Sequence, residues 1–257
     1  MMYDSYTITM SYLDIDPNKR HILSLSGGKD STALAVYLKD KIPDLEYVFC
    51  DTGEELRETY AYLDKIEEKL QIKIKRLGDG KNFDDWLKYH KGYLPSARAR
   101  WCTVVMKIRP YERYVGKDNA ISYMGIRADE CDRGGYISKK GNITPVYPFR
   151  EDNIVLKDVY LMLIRSGLGI PEYYKWRSRS GCYFCFFQRM VEWVRLMENH
   201  PDLFDKAQSY EKKDFTWIKG KSLDYIRNNA EAIKKRAAKR DAKEEVDNIK
   251  PCDICHL

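Results

Sequence analysis

Ser24-Leu25-Ser26-Gly27-Gly28-Lys29-Asp30-Ser31 stands between an apolar run, Ile22-Leu23-Ser24-Leu25, and an amphipathic stretch from Ser31 to Leu38. The run reads as a strand and the stretch as a helix. Two adjacent glycines let the chain turn tightly and bring backbone N–H groups against an anion, while the helix opening near Asp30 turns its positive end to the same point. Ser24 lies at the strand end, Ser26 and Ser31 add hydroxyls, and Lys29 adds a charge. A Gly-Gly turn followed by a capping Asp or Ser is the plainer reading of such a segment. The agreement of strand, turn and helix favours a phosphate loop. It is not a Walker A loop, because Lys29 is followed by Asp30 rather than by Ser or Thr.

Outward from this loop, short apolar runs alternate with amphipathic stretches. Tyr47-Val48-Phe49-Cys50 reads as a second strand, Glu54 to Leu70 as a helix, Ile72 to Leu77 as a third strand, Phe83 to His90 as a helix and Ile121 to Ile126 as a further strand. Strands separated by helices pair in parallel through right-handed crossovers, which predicts an α/β fold with a doubly wound, mostly parallel sheet. Its ligand edge is then the carboxyl ends of the strands. After Pro145 and Pro148 the strand signal fades. Val155 to Arg165, Phe186 to Asn199, Pro201 to Lys212 and Leu223 to Lys243 read as helices, so the expectation is an α/β domain over 1–150 and a helical region over 151–257.

Composition limits the alternatives. A chain of 257 residues with 44% hydrophobic and 13% aromatic residues, including 20 tyrosines, is neither disordered nor collagen-like. A net charge of +6 suits polyanionic ligands without demanding them. No apolar run approaches the length of a membrane span, and Met1 to Tyr12 lacks the features of a signal peptide. The expectation is a soluble cytoplasmic protein with no membrane partner. Seven cysteines, four of them in two Cys-x-x-Cys pairs, argue against a disulfide framework and for metal, iron–sulfur or redox chemistry. His21, His90, His200 and His256 are scattered, so a zinc hydrolase finds no support.

The hexapeptide Ser26 to Ser31 resembles the PP-loop of the ATP pyrophosphatases, the adenine nucleotide alpha hydrolase superfamily. Four further segments extend the likeness, in order, to the phosphoadenosine phosphosulfate (PAPS) reductase family. They are Asp51-Thr52-Gly53 leading to Glu58-Thr59-Tyr60, Arg100-Trp101-Cys102-Thr103 followed by Lys107-Ile108-Arg109-Pro110, Gly125-Ile126-Arg127-Ala128-Asp129-Glu130, and Arg179-Ser180-Gly181-Cys182-Tyr183-Phe184-Cys185. The details resemble the DNA phosphorothioation enzymes and kindred phage and defence proteins more than the assimilatory reductase, whose C-terminal Glu-Cys-Gly-x-His element is absent.

The resemblance implies an adenine nucleotide alpha hydrolase-like fold and an enzyme that splits ATP between the alpha and beta phosphates, adenylates a substrate and supports sulfur transfer to nucleic acid. The alternatives are a reductase of phosphoadenosine or adenosine phosphosulfate, and a non-catalytic nucleotide-binding subunit of a modification or defence complex. In the first reading Ser24, Ser26, Gly27, Gly28, Lys29, Asp30, Ser31 and Asp51 bind ATP and Mg²⁺. Lys29, Asp30, Asp51 and Arg127 carry the catalytic roles. Asp30 as a helix cap, Asp51 as a turn former and Arg127 as a surface ion pair are the plainer alternatives. Partners implied are a nucleotide, a nucleic-acid acceptor, a sulfur-donor protein such as a cysteine desulfurase, and a second copy in a homodimer.

Cys182 and Cys185 are spaced to reach one metal centre, and thiolate-rich sites select iron–sulfur clusters or zinc. The resemblance favours a [4Fe–4S] cluster on Cys102, Cys182 and Cys185. Cys131 and the Cys252-x-x-Cys255 pair compete for the fourth place, a cluster on three cysteines with one iron open is the third possibility that the resemblance implies, zinc is the alternative metal, and Cys50 reads as a small buried residue. Two basic groups, Arg98 to Arg113 and Lys234 to Arg240, would suit a polyanion, as would solvated helix faces.

Overall fold

The computed structural model describes residues 12–13, 15–130, 133–135, 138, 140–179, 181–213 and 215–248. In chain order the strands are β1 (Arg20–Ser24), β2 (Glu46–Cys50), β3 (Ile74–Leu77), β4 (Ala120–Tyr123) and β5 (Ile143–Val146). The helices are α1 (Lys29–Leu38), α2 (Arg57–Leu70), α3 (Phe83–Tyr89), the short turn α4 (Trp101–Thr103), α5 (Arg109–Val115), α6 (Pro148–Glu151), α7 (Leu156–Arg165), α8 (Met190–Asn199), α9 (Pro201–Ser209), α10 (Leu223–Asn228) and α11 (Ala230–Asn248). Within these residues the chain divides into two compact units, one drawn from Met1–Asn82 and Cys102–Gly181, the other from Phe83–Trp101 and Cys182–Leu257. Position 150 falls inside the first unit, because α7 packs there against α1.

The first unit is built on a five-stranded sheet in the order β3-β2-β1-β4-β5, every pair parallel. Alternation along the strands sends neighbouring apolar residues to opposite faces of the sheet. Leu23, Tyr47, Phe49, Ile74 and Tyr123 face Leu34 and Leu38 of α1, Leu63 and Ile66 of α2, and Val159 and Leu163 of α7. Ile22, Val48, Leu77, Ala120 and Ile143 face Tyr111 and Val115 of α5. Both sheet faces are thus covered, which is the condition for a parallel sheet. From β1 the chain winds outward to β2 and β3, and then returns to β4 and β5 on the other side. The order reverses between β1 and β4, so the switch point lies where the glycine turn leaves β1.

The doubly wound parallel sheet is the fold expected from the sequence. One strand was missed: β5 carries Pro145, placed opposite Ser122 of β4. A proline lacks the ladder donor, but β5 is an edge strand, where that loss is tolerated. The long helix expected over Leu223 to Lys243 is broken at Asn229 into α10 and α11.

The second unit is held by aromatic packing. Phe83 of α3 lies 4.2 Å from Phe184 and 5.4 Å from Trp101, ring centre to ring centre. Phe184 stacks on Trp217 at 5.0 Å, and Trp217 lies 6.0 Å from the fully buried Trp193 of α8. Aromatic pairs at these spacings add to the burial of their large apolar area. Among the described residues no helix is long and apolar enough to cross a membrane.

Candidate phosphate-binding site

At the carboxyl end of β1, Leu25 donates its N–H to Val48 O at 2.8 Å and prolongs the sheet by one residue. The chain then turns at Gly27, whose φ of +69° is a region that favours glycine. A Cβ at Gly27 would stand 2.7 Å from Thr59 Cγ2 of α2, so both the conformation and the space require glycine. Gly28 is the N-cap of α1 and makes no side-chain cap. Its carbonyl accepts from the Thr32 N–H at 3.1 Å and from the Thr32 hydroxyl at 2.8 Å. The Ser31 hydroxyl closes the loop from within, taking the Ser26 N–H at 3.1 Å and lying 3.0 Å from Ser26 Oγ. No N-cap side chain takes the first amides of α1, and the Lys29 N–H goes to the Tyr174 hydroxyl at 3.4 Å; an anion at this helix start would meet the amides and the helix dipole together.

Charge converges on the same turn. Asp30 accepts from Arg127 Nη1 at 2.7 Å and from Lys29 Nζ at 3.0 Å. Arg127 also donates Nε to Asp129 at 2.7 Å, and its Nη1 lies 3.7 Å from Glu130. Burial opposes the charge on Arg127, yet its bonds to Asp129 and Asp30 outweigh burial and raise its pKa. Burial likewise pushes the Asp129 carboxyl up, but the Arg127 bond and charge prevail and hold it below the usual carboxylate range. Arg127 is therefore the centre of an ion-pair network that Asp30 joins to Lys29, and the N-cap of α1 is Gly28. Arg127 is buried, unlike an ordinary surface ion pair.

Asp51 follows β2 directly and forms a turn: its Oδ1 accepts from the Gly53 N–H at 2.9 Å and from the Tyr60 hydroxyl at 2.8 Å. Beside it, the buried Glu55 takes the Thr52 hydroxyl at 3.0 Å and faces Lys107 at 3.7 Å. Lys107 lies in a π-helical stretch, Val104–Ile108, a distortion often found at functional sites. Cys50 donates its Sγ–H to Lys107 O at 3.4 Å, and burial pushes its thiol up to about 11. It stays a neutral thiol near pH 7 and is only half-buried, where the sequence suggested a buried residue.

The structure adds residues that sequence reasoning did not single out. Gly125 brings the segment after β4 against α1, since a Cβ there would lie 2.8 Å from Asp30 O and 3.2 Å from Ser31 N. Both atoms are backbone and cannot swing aside. Gly125→Ala is expected to destabilise the protein by about 1–3 kcal/mol through this overlap, read as a fall in the urea midpoint at unchanged slope. Tyr173 and Tyr174 also reach the loop, from a sequence distance at which no local signal links them to it.

Cys102 belongs to the first unit, and Cys182 and Cys185 to the second. Cys185 N–H donates to Cys182 O at 3.1 Å, Gln188 N–H to Cys185 O at 2.9 Å and Gln188 Nε2 to Tyr183 O at 2.6 Å. Tyr183 and Phe184 are buried while both cysteines are partly exposed. The pair is thus held on a braced turn. Among the described residues no group of three or more His, Cys, Asp or Glu forms a metal-binding set. Cys131, Cys252, Cys255 and His256 lie outside the described residues. The basic groups are partly engaged: Arg100 lies over the Phe187 ring at 5.5 Å, and Lys234 pairs with Glu198 and Glu231. Lys235, Arg236 and Lys239 are exposed.

The five-stranded parallel sheet with its flanking helices has an adenine nucleotide alpha hydrolase-like α/β fold. The phosphoadenosine phosphosulfate reductase domain matches residues 20–185, and the chain belongs to that family. An uncharacterized protein of Methanocaldococcus jannaschii is 30% identical over 215 residues, covering 79% of this chain and 50% of that protein. The chain therefore spans about half the length of that archaeal relative. An uncharacterized 37.8 kDa protein of Escherichia phage 186 is 25% identical, covering 75% of this chain and 74% of that one. Among solved structures, the phosphate complex of phosphoadenylyl-sulfate reductase from Candida auris superposes with a TM-score of 0.51 at 15% identity. It covers 65% of this chain and 82% of that chain, a likeness of fold.

Proposed function

We propose that the chain is an ATP-dependent adenylating enzyme of the ATP pyrophosphatase type that supports sulfur transfer to a nucleic acid. The observation that carries the reading is the turn from β1 to α1, where Gly27 is left-handed, Gly28 caps the helix without a side chain, and Lys29 and Arg127 stand at its first residues. An acceptor oxygen attacks the alpha phosphorus, and the bond to the bridging oxygen breaks. Pyrophosphate leaves with that electron pair. The loop amides and Lys29 hold its charge, which is most of what such a transfer requires. Asp51 offers hard oxygen ligands for Mg²⁺ beside the loop. Family membership supports the reading at the level of the nucleotide-binding domain. Chromatography of ATP incubated with the protein and Mg²⁺ is expected to give AMP and pyrophosphate. ADP as the sole product would overturn the reading.

The family description also favours a second reading, in which the loop takes the phosphates of a sulfated nucleotide. Competition between ATP and adenosine phosphosulfate for the loop separates the two. For the thiols, Cys182 and Cys185 have the donor chemistry of an iron–sulfur or zinc site, and a bound cluster would supply sulfur or electron chemistry. No step above depends on it. Protein purified without oxygen is expected to contain iron and acid-labile sulfide and to lose both in Cys182→Ala or Cys185→Ala. Stoichiometric zinc in colourless protein would favour a structural site.

A further inference from the structure

The 3₁₀ turn Glu172–Lys175 belongs to none of the motifs, yet two consecutive tyrosines in it touch the loop. Tyr173 is fully buried, and its hydroxyl donates to Gly27 O at 2.7 Å. In a trans peptide the carbonyl of one residue and the N–H of the next point in opposite directions, so a bond that holds Gly27 O also aims the Gly28 N–H. The peptide between two glycines is otherwise free to flip at little cost. Tyr174 is half-buried, and its hydroxyl oxygen accepts the Lys29 N–H at 3.4 Å, while its ring lies 5.1 Å from the Lys29 ammonium. That amide is the first of α1, where a phosphate oxygen would bind. At 3.4 Å the bond is long and weak, so a charged oxygen can displace it.

Resting on the nucleotide reading above, we propose that Tyr173 and Tyr174 are positioning residues of the phosphate loop with opposite effects. Tyr173 aims the Gly28 amide at the anion. The Tyr174 hydroxyl occupies the Lys29 amide in the free protein and is displaced when a phosphate oxygen arrives. Phenylalanine at either position keeps the ring and its packing and removes only the hydroxyl.

The test is calorimetric titration of the whole chain with magnesium pyrophosphate and, separately, with magnesium ATP. Tyr173→Phe is expected to weaken pyrophosphate binding about tenfold and Tyr174→Phe to strengthen it about threefold, in proportion to a strong and a weak net hydrogen bond. In the ligand-free protein, the Lys29 amide of Tyr174→Phe is expected to exchange with solvent faster than in the parent, by NMR. Weakening by both variants, no change in Tyr174→Phe, or unchanged Lys29 exchange would overturn the proposal. Should Tyr173→Phe fail to fold, the sign of the Tyr174→Phe effect decides. Opposite shifts for pyrophosphate without any ATP binding would remove the ATP reading and leave this inference standing. A parent that binds neither would remove both.

Discussion

Gly28→Val is expected to weaken ATP binding by about a hundredfold or more, equivalent to about 2.8 kcal/mol. Gly28 has φ −92° and ψ 163°, extended backbone that valine adopts without strain. The backbone conformation therefore does not oppose the substitution. Its branched side chain would stand beside the first amides of α1, where a phosphate must come to hydrogen-bond distance. The cost to stability should be that of an unfavourable N-cap, about 1 kcal/mol, so thermal unfolding reports an intact protein. Gly27→Val would not be so clean a test, because φ +69° and the nearby Thr59 methyl both oppose it. Parental affinity of Gly28→Val for ATP, measured by titration calorimetry, would remove the phosphate-loop assignment.

The second large effect is expected from Arg127→Met. The guanidinium is only 11% exposed and holds Asp30, Asp129 and Glu130 together at the first turn of α1. Methionine keeps much of the length and none of the charge. Asp30, 19% exposed, would retain Lys29 as its partner, so the loss should be about 3 kcal/mol, near the lower end for breaking a buried pair. The pH dependence carries a sign that a packing defect would not. Asp129 is held below its ordinary pKa of 3.8 in the folded protein through Arg127. A depressed carboxylate contributes stability that is fully present above the unfolded value and is lost as pH falls through the folded one. The parent should therefore lose this contribution in acid below pH 3.8, whereas the variant should lack it throughout. Urea unfolding at neutral pH and in acid should show the difference between the two narrowing as pH falls. A constant difference would assign the effect to packing alone.

Local pattern was enough for much of this protein. β1, the glycine turn and α1 are consecutive, and their signals, an apolar run, two glycines and a helical period, act over a few residues. The parallel sheet followed, because strands joined through helices have few ways to pair. Asp51 and Arg127 were legible as candidates because each follows a strand that the pattern identified, and Asp30 because it lies at the start of the helix after the glycine turn; their catalytic roles came only with the family resemblance. Cys182 and Cys185 were legible as a pair because their spacing is local too.

Other features required the tertiary structure. Pro145 hides β5 from any propensity argument, and only the edge position of that strand makes the proline acceptable. The partner of Asp30 was invisible until Arg127 was placed 2.7 Å away, 97 residues along the chain. Gly125 looks like an ordinary turn glycine until α1 is seen against it. Tyr173, 146 residues from Gly27, carries no mark of its contact with the loop. Phe83–Trp101 joins Cys182–Leu257 in one unit because their aromatic rings bury one another, although an apolar period says only that a face is buried and never against what. Sequence thus determined most of the strands and helices and the glycine turn between β1 and α1, since those depend on neighbours in the chain. Partners distant in sequence were decided by packing, because a side chain's charge, volume and hydrogen-bonding groups do not encode which distant group will meet them.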